Sequence, residues 1–201
     1  MVPQDVSNAL EQIAQIHQHL DRTQTCRDLK ALPHAASGVW GIAAAALQVR
    51  LIGSAPSGMQ FVLYWLVVAV LAGITASSAT ALLVMKAPAD QRRRTRLLLA
   101  QFAPAVGAGA LITAAFFPFT TPAWHYLPGI WAICYGLGIF AMRVLLPRLV
   151  GWAALFYVAA GTFVLMSISQ GAAVSPWMMG IPFGMGQLLF GFILYWSLER
   201  K

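Results

Sequence analysis

The chain has 201 residues, 59% of them hydrophobic and 9% charged, with a mean hydropathy of +0.71. Soluble domains carry roughly 25% charged and 45–50% apolar residues, so this composition excludes a secreted domain, a disordered chain and an ordinary cytoplasmic enzyme, and leaves lipid as the solvent. A net charge of +7 would suggest nucleic acid in a soluble protein, but between Leu97 and Leu198 only Arg143 and Arg148 are charged, so the basic excess reads as a topology signal with no direct nucleic-acid contact.

Residues 1–32 are polar. Val6, Leu10, Ile13, Ile16 and Leu20 recur at three- and four-residue steps, which predicts an amphipathic helix. Asn8 with Glu11 resembles a capping pair at its start. That apolar face would lie on the bilayer surface, pack on the membrane bundle or pair with a partner helix; a short helix that closes the N-terminus is the plainer alternative. The segment lacks the early apolar run of a signal peptide, and Cys26 fits a reduced, cytosol-facing location.

Six apolar spans follow, near 34–52, 60–85, 97–117, 124–142, 149–168 and 177–198, each close to the roughly 20 residues that cross a hydrocarbon core. The expected architecture is therefore an all-α, polytopic six-helix transmembrane bundle over 33–201, preceded by the cytoplasmic segment 1–32. Most prolines punctuate span ends; Pro104, Pro128 and Pro182 fall in first turns or kink their helices. With the N-terminus inside, the inner segments hold 12 of the 13 basic residues, Arg50 being the exception, and the outer loops near 53–59, 118–123 and 169–176 hold no charge. That distribution predicts both termini in the cytosol. The densest stretch, Lys86–Arg96, is an orientation signal that sets Arg92, Arg93, Arg94 and Arg96 beside anionic headgroups. Trp65, Trp124 and Trp177 are expected at the outer interface and Trp152 and Trp196 at the inner one, with Trp40 and Trp131 deeper as packing residues.

Small residues recur every four positions: Ser37, Gly41 and Ala45; Ala69, Gly73 and Ser77; Ala105, Gly109 and Thr113; Gly180 and Gly184. Lipid supplies no hydrophobic drive for helix pairing, so such ridges mark close backbone approach. They would be seams of one compact bundle or the face of a homo-oligomer.

Chemistry is sparse. No Asp or Glu lies inside a span, where an ionisable residue would mark function. There is no HExxH, GxSxG, phosphate loop or carboxylate pair, so neither a catalytic set nor a cofactor or metal is implied. His17 and His19 point to different faces, and His34 and His125 sit at opposite membrane interfaces. Gln187 is the most central strongly polar side chain. Together with Tyr135, Ser77 and Ser78 it is the candidate for an interhelical contact or a polar cavity. Thr75, Ser77, Ser78 and Thr80 also have the alternative of bonding back to their own helix.

The stretch Phe102–Thr113 (FAPAVGAGALIT), Leu127–Trp131 (LPGIW) with Tyr135 and Gly136, Gly186–Ile193 (GQLLFGFI), and Asp21-Arg22-Thr23 before the first span resemble a family of uncharacterised six-span bacterial inner-membrane proteins. The likeness covers roughly residues 20–198 and leaves about twenty extra residues at the N-terminus. It implies a location in the bacterial inner membrane and a gene often beside a small winged-helix regulator; it supplies no reaction and no functional residues. The expected function is a non-enzymatic sensor, accessory subunit or scaffold acting through protein or lipid contacts. The alternatives are a small transporter or channel for a neutral or apolar solute, which needs a mid-membrane cavity, and a lipid-modifying enzyme.

Overall fold

The computed structural model describes residues 30–85 and 89–200. Regular structure there is helical throughout, and six helices are long and apolar enough to span a membrane. They are α1 (Ala31–Ile52), α2 (Gly58–Met85), α3 (Ala89–Ala115), α4 (Pro122–Leu145), α5 (Val150–Ser169) and α6 (Trp177–Glu199). The amphipathic segment with Val6, Leu10, Ile13, Ile16 and Leu20, together with His17, His19 and Cys26, lies outside the described residues.

Two helices begin earlier than their hydropathy suggests. α1 takes in Ala31, Leu32 and Pro33, since proline is tolerated in a first turn where its missing N–H has no partner to lose. Lys30 gives α1 no side-chain cap; instead the Ala31 N–H donates to Glu199 Oε1 at 3.1 Å, from the far end of the chain. α3 extends back to Ala89, so most of the expected basic loop is helix. Ala, Gln and Arg are strong helix formers, and the run ADQRRRTR holds no breaker. Arg92, Arg93 and Arg96 are exposed along it, whereas Arg94 and Thr95 are half-buried.

α4 opens on a 3-10 turn at Pro122–Tyr126 and closes on another at Arg143–Leu145. α6 is the least regular helix. A π-helical stretch at Gly180–Met185 surrounds Pro182, and a second π turn covers Tyr195–Glu199.

The helices pack in the order α2–α1–α6–α5–α4–α3, and α2 and α3 barely touch. Two seams are tight because glycine lets backbones meet. In the α1–α6 seam a Cβ on Gly38 would stand 2.7 Å from the Gly184 carbonyl oxygen, and one on Gly180 would stand 2.5 Å from the Ala45 Cβ. In the α4–α5 seam Gly129 and Gly161 oppose each other, each with its Cβ position within 2.8 Å of the other's carbonyl oxygen.

Two apolar clusters fill the bundle. One joins Ala31, Leu98, Leu146, Val150 and Leu194 at the end where α1 starts and α6 stops. The other joins Ala45, Phe61, Trp65, Trp124 and Met179 at the opposite end. Of the Lys and Arg residues described, all but Arg50 belong to the first end, where Arg143 stacks over Phe140 at 4.0 Å and Arg200 over Trp196 at 3.7 Å. The expected aromatic belt is only partly present. Trp152, Trp177 and Trp196 are exposed, but Trp65 and Trp124 are core residues. Trp40, expected deep, is half exposed and donates from Nε1 to Thr75 Oγ1 at 3.1 Å, tying α1 to α2.

Candidate functional site

Where α2 and α3 fail to close, a cavity of about 270 Å³ opens from the flank of the bundle toward its centre. Its mouth is framed by two of the small-residue ridges: Ala69, Ala72 and Gly73 of α2 face Ala105, Gly109 and Ala110 of α3. Nothing lies within 4 Å of where a Gly73 Cβ would be. These side chains are too short to meet across the gap. Deeper in, Trp65, Trp131 and Phe183 wall the space, and Tyr135 and Gln187 stand at its inner side.

The walls are chemically quiet. Thr113 Oγ1 donates to the Gly109 carbonyl at 2.7 Å and accepts Trp131 Nε1–H at 2.7 Å. Ser37 Oγ donates to the His34 carbonyl at 2.7 Å. Trp65 Nε1–H is taken by Gln48 Oε1 at 2.9 Å. Gln187 differs. Its Nε2–H donates to the Tyr135 hydroxyl, its buried Oε1 faces the His34 imidazole within hydrogen-bonding reach, and the residue is only 8% exposed.

Tyr135 is held in place by rings. Phe102 meets its edge at 5.2 Å between centroids, Tyr157 lies 4.9 Å away and Phe183 5.7 Å. Tyr157 is fully buried, and its hydroxyl has no partner. His34 sits 4.9 Å from Phe190, its ring nitrogens buried and the Gln187 side chain within hydrogen-bonding reach. Side chains of α1, α4, α5 and α6 thus supply a polar centre in an otherwise apolar interior.

The candidate residues divide. Gln187 and Tyr135, 52 positions apart, come together on the cavity wall. Ser77 and Ser78 do not join them. Both are exposed, and they donate back to the carbonyls of Gly73 and Thr75, because a serine one turn on can satisfy itself within its own helix. Arg92, Arg93, Arg94 and Arg96 lie on the first turns of α3, far from the cavity lining. Sequence reasoning passed over three members. Gln48 reads as a polar flaw in the first span, yet it is 2% exposed and bonded to Trp65. His34 reads as an interface residue, and Tyr157 as one more aromatic. A lone polar side chain between Leu47 and Val49 in an apolar span was the available signal for Gln48.

Among the described residues no three His, Cys, Asp or Glu side chains gather where they would hold a metal. The residues that line the cavity include no charged side chain, and the enclosure is mainly apolar. No protein-family model matches this chain, and no curated protein or solved structure does.

Proposed function

We propose that this chain is a multi-pass protein of the bacterial inner membrane, with both termini cytosolic, that binds a small neutral, mainly apolar molecule entering sideways from the bilayer between α2 and α3. The observation that carries this is the cavity of about 270 Å³ between two helices that barely touch. An entrance facing lipid selects molecules dissolved in lipid, and small uncharged walls accept apolar bulk. Of the expected functions, this supports the solute-handling one over a scaffold, whose interior would need no space. Binding is the step that a sensor and a carrier share.

The orientation is supported by the basic residues gathered at one end of the bundle, where the Ala31–Glu199 bond also brings the ends of α1 and α6 together. Arg92, Arg93 and Arg96 would there meet anionic headgroups. The resemblance to six-span inner-membrane proteins supports the compartment. An impermeant maleimide should label Ser54→Cys and Ala172→Cys, but not Arg148→Cys, in intact cells of a variant whose native cysteines are replaced. The reverse pattern would invert the orientation.

For the site, 1-bromododecane is a suitable probe, since its bromine quenches tryptophan and both Trp65 and Trp131 line the cavity. Quenching should fall in Gly73→Phe, whose ring would occupy the open space, while the lipid-exposed tryptophans are quenched alike in both proteins. Equal quenching in the two would remove the binding assignment.

A further inference from the structure

Where α5 and α6 meet at the basic end of the bundle, we infer a binding site for one anionic phospholipid of the adjoining leaflet, its acyl chain lying in an apolar groove and its phosphate between Arg148 and Arg200. The site is separate from the α2–α3 cavity and does not depend on what that cavity holds.

The groove is built by the helix repeat. Leu189, Phe192, Ile193 and Trp196 fall at i, i+3, i+4 and i+7 and line one face of α6, while Leu149 and Trp152 complete it from the start of α5. Ile193 is buried and Leu189 half-buried, whereas the other four stand exposed, which makes the surface concave. An apolar patch with a polar rim marks a binding groove more than a plain apolar face does. Here the rim lies at one end only. Arg148 directly precedes Leu149, and Arg200 stacks over the Trp196 ring at 3.7 Å. Both arginines are exposed, and among the described residues neither is paired with a carboxylate. Glu199, beside Arg200 in the chain, is held by the Ala31 N–H at 3.1 Å. The indole N–H groups of Trp152 and Trp196 likewise have no protein partner among the described residues. Two cations and two indole donors thus flank an apolar groove at the helix ends, the depth at which headgroups meet acyl chains. That pattern fits a lipid phosphate, which guanidinium groups bind in a forked, charge-assisted geometry. A net negative headgroup matches the two arginines, whereas the ammonium of a zwitterionic one adds a third cation. A partner's spanning helix is a poor occupant: the groove follows α6 for two turns, about 10 Å, against the roughly 30 Å that such a helix covers.

Tryptophan quenching in nanodiscs tests the site, with phosphatidylglycerol or phosphatidylcholine brominated on the acyl chain near the headgroup and diluted into unbrominated phosphatidylcholine. The signal is the emission lost in Trp152→Phe/Trp196→Phe, which isolates the two groove indoles. The glycerol lipid should quench it at about five- to thirtyfold lower mole fraction than the choline lipid, the gain from one or two arginines beside an anionic headgroup. Arg148→Gln/Arg200→Gln should bring the two lipids level, while Arg92→Gln/Arg93→Gln, at exposed positions of α3, should leave the preference in place. Free glycerol phosphate, which has the headgroup without the chain, should not reverse the quenching. Equal quenching by the two lipids in the wild type overturns the site, and so does a preference that survives Arg148→Gln/Arg200→Gln. An equal loss from the α3 pair would replace it with general attraction to a basic surface, and reversal by glycerol phosphate would replace the lipid with a free phosphate ester. Every substituted side chain is exposed, and the comparison of headgroups on the wild-type chain needs no arginine variant.

Discussion

Gln48 shows how a polar residue is carried inside a membrane helix. It is nearly inaccessible, and its Oε1 takes the indole N–H of Trp65 one helix away. Gln48→Leu would leave that N–H buried and unbonded, at a cost of about 1–3 kcal/mol. Trp65→Phe would strand the amide by a similar amount. The double variant should lose less than the sum of the two, since each single change already breaks the shared bond. Thermal unfolding in detergent measures all three, and strict additivity would mean that the bond contributes nothing. The glycines follow the same logic of surroundings. A side chain on Gly161 meets the Gly129 carbonyl and Ile133 at 2.7–2.8 Å, whereas one on Gly107 meets nothing within 4 Å. Gly161→Val should therefore destabilise by about 1–3 kcal/mol, the range of overpacking. Gly107→Ala should be neutral or stabilising, given the poor helix propensity of glycine.

At the scale of elements, α1 and α6 act as a pair. They share the glycine seam, and the end of one caps the start of the other through Glu199. A carboxylate at a helix N-terminus satisfies an orphan N–H and opposes the positive end of the helix dipole. Glu199→Ala should cost about 1 kcal/mol, the usual worth of a cap, and should speed amide exchange in the first turn of α1 before any other region. Unchanged exchange at Ala31–His34 would deny the cap. α6 also carries Pro182 within its π-helical stretch, which ends at Met185, two residues before Gln187. π segments interrupt helices at functional positions more often than elsewhere, and here the irregular stretch sets Phe183 and Gln187 toward the cavity.

Across the whole molecule, burial is uneven: α6 is the most enclosed helix and α2 and α3 the least. Segments with few packed neighbours open first. In nanodiscs, Ala69–Ala76 of α2 should exchange amide hydrogens faster than Gly186–Leu194 of α6, and 1-bromododecane should slow the α2 exchange while leaving α6 unchanged. Slower exchange in α2 than in α6 from the outset would argue against a lateral opening. The small-residue ridges show why such an opening is not evident beforehand. Ser37, Gly41 and Ala45 sit in a closed seam with Gly180 and Gly184, whereas Ala69 and Gly73 of α2 and Ala105 and Gly109 of α3 have the same spacing and frame a gap. The spacing permits close approach without naming the partner or requiring contact.

The six helical spans, their limits to within a turn or two, and the gathering of cations at alternate turns were legible in the amino-acid sequence. The reason is that they follow from local composition: a lipid core admits only backbone that bonds to itself, and charge is confined to the ends of each span. The start of α3 was misjudged because hydropathy ends where the arginines begin, although helix propensity does not. The tertiary structure alone decided which ridges close, which stay apart, and that Gln187 would meet Tyr135 while Ser77 and Ser78 turned back on their own helix. Those outcomes depend on van der Waals fit among helices that are nearly equal in lipid, and the fit is a property of all six together, absent from any one of them.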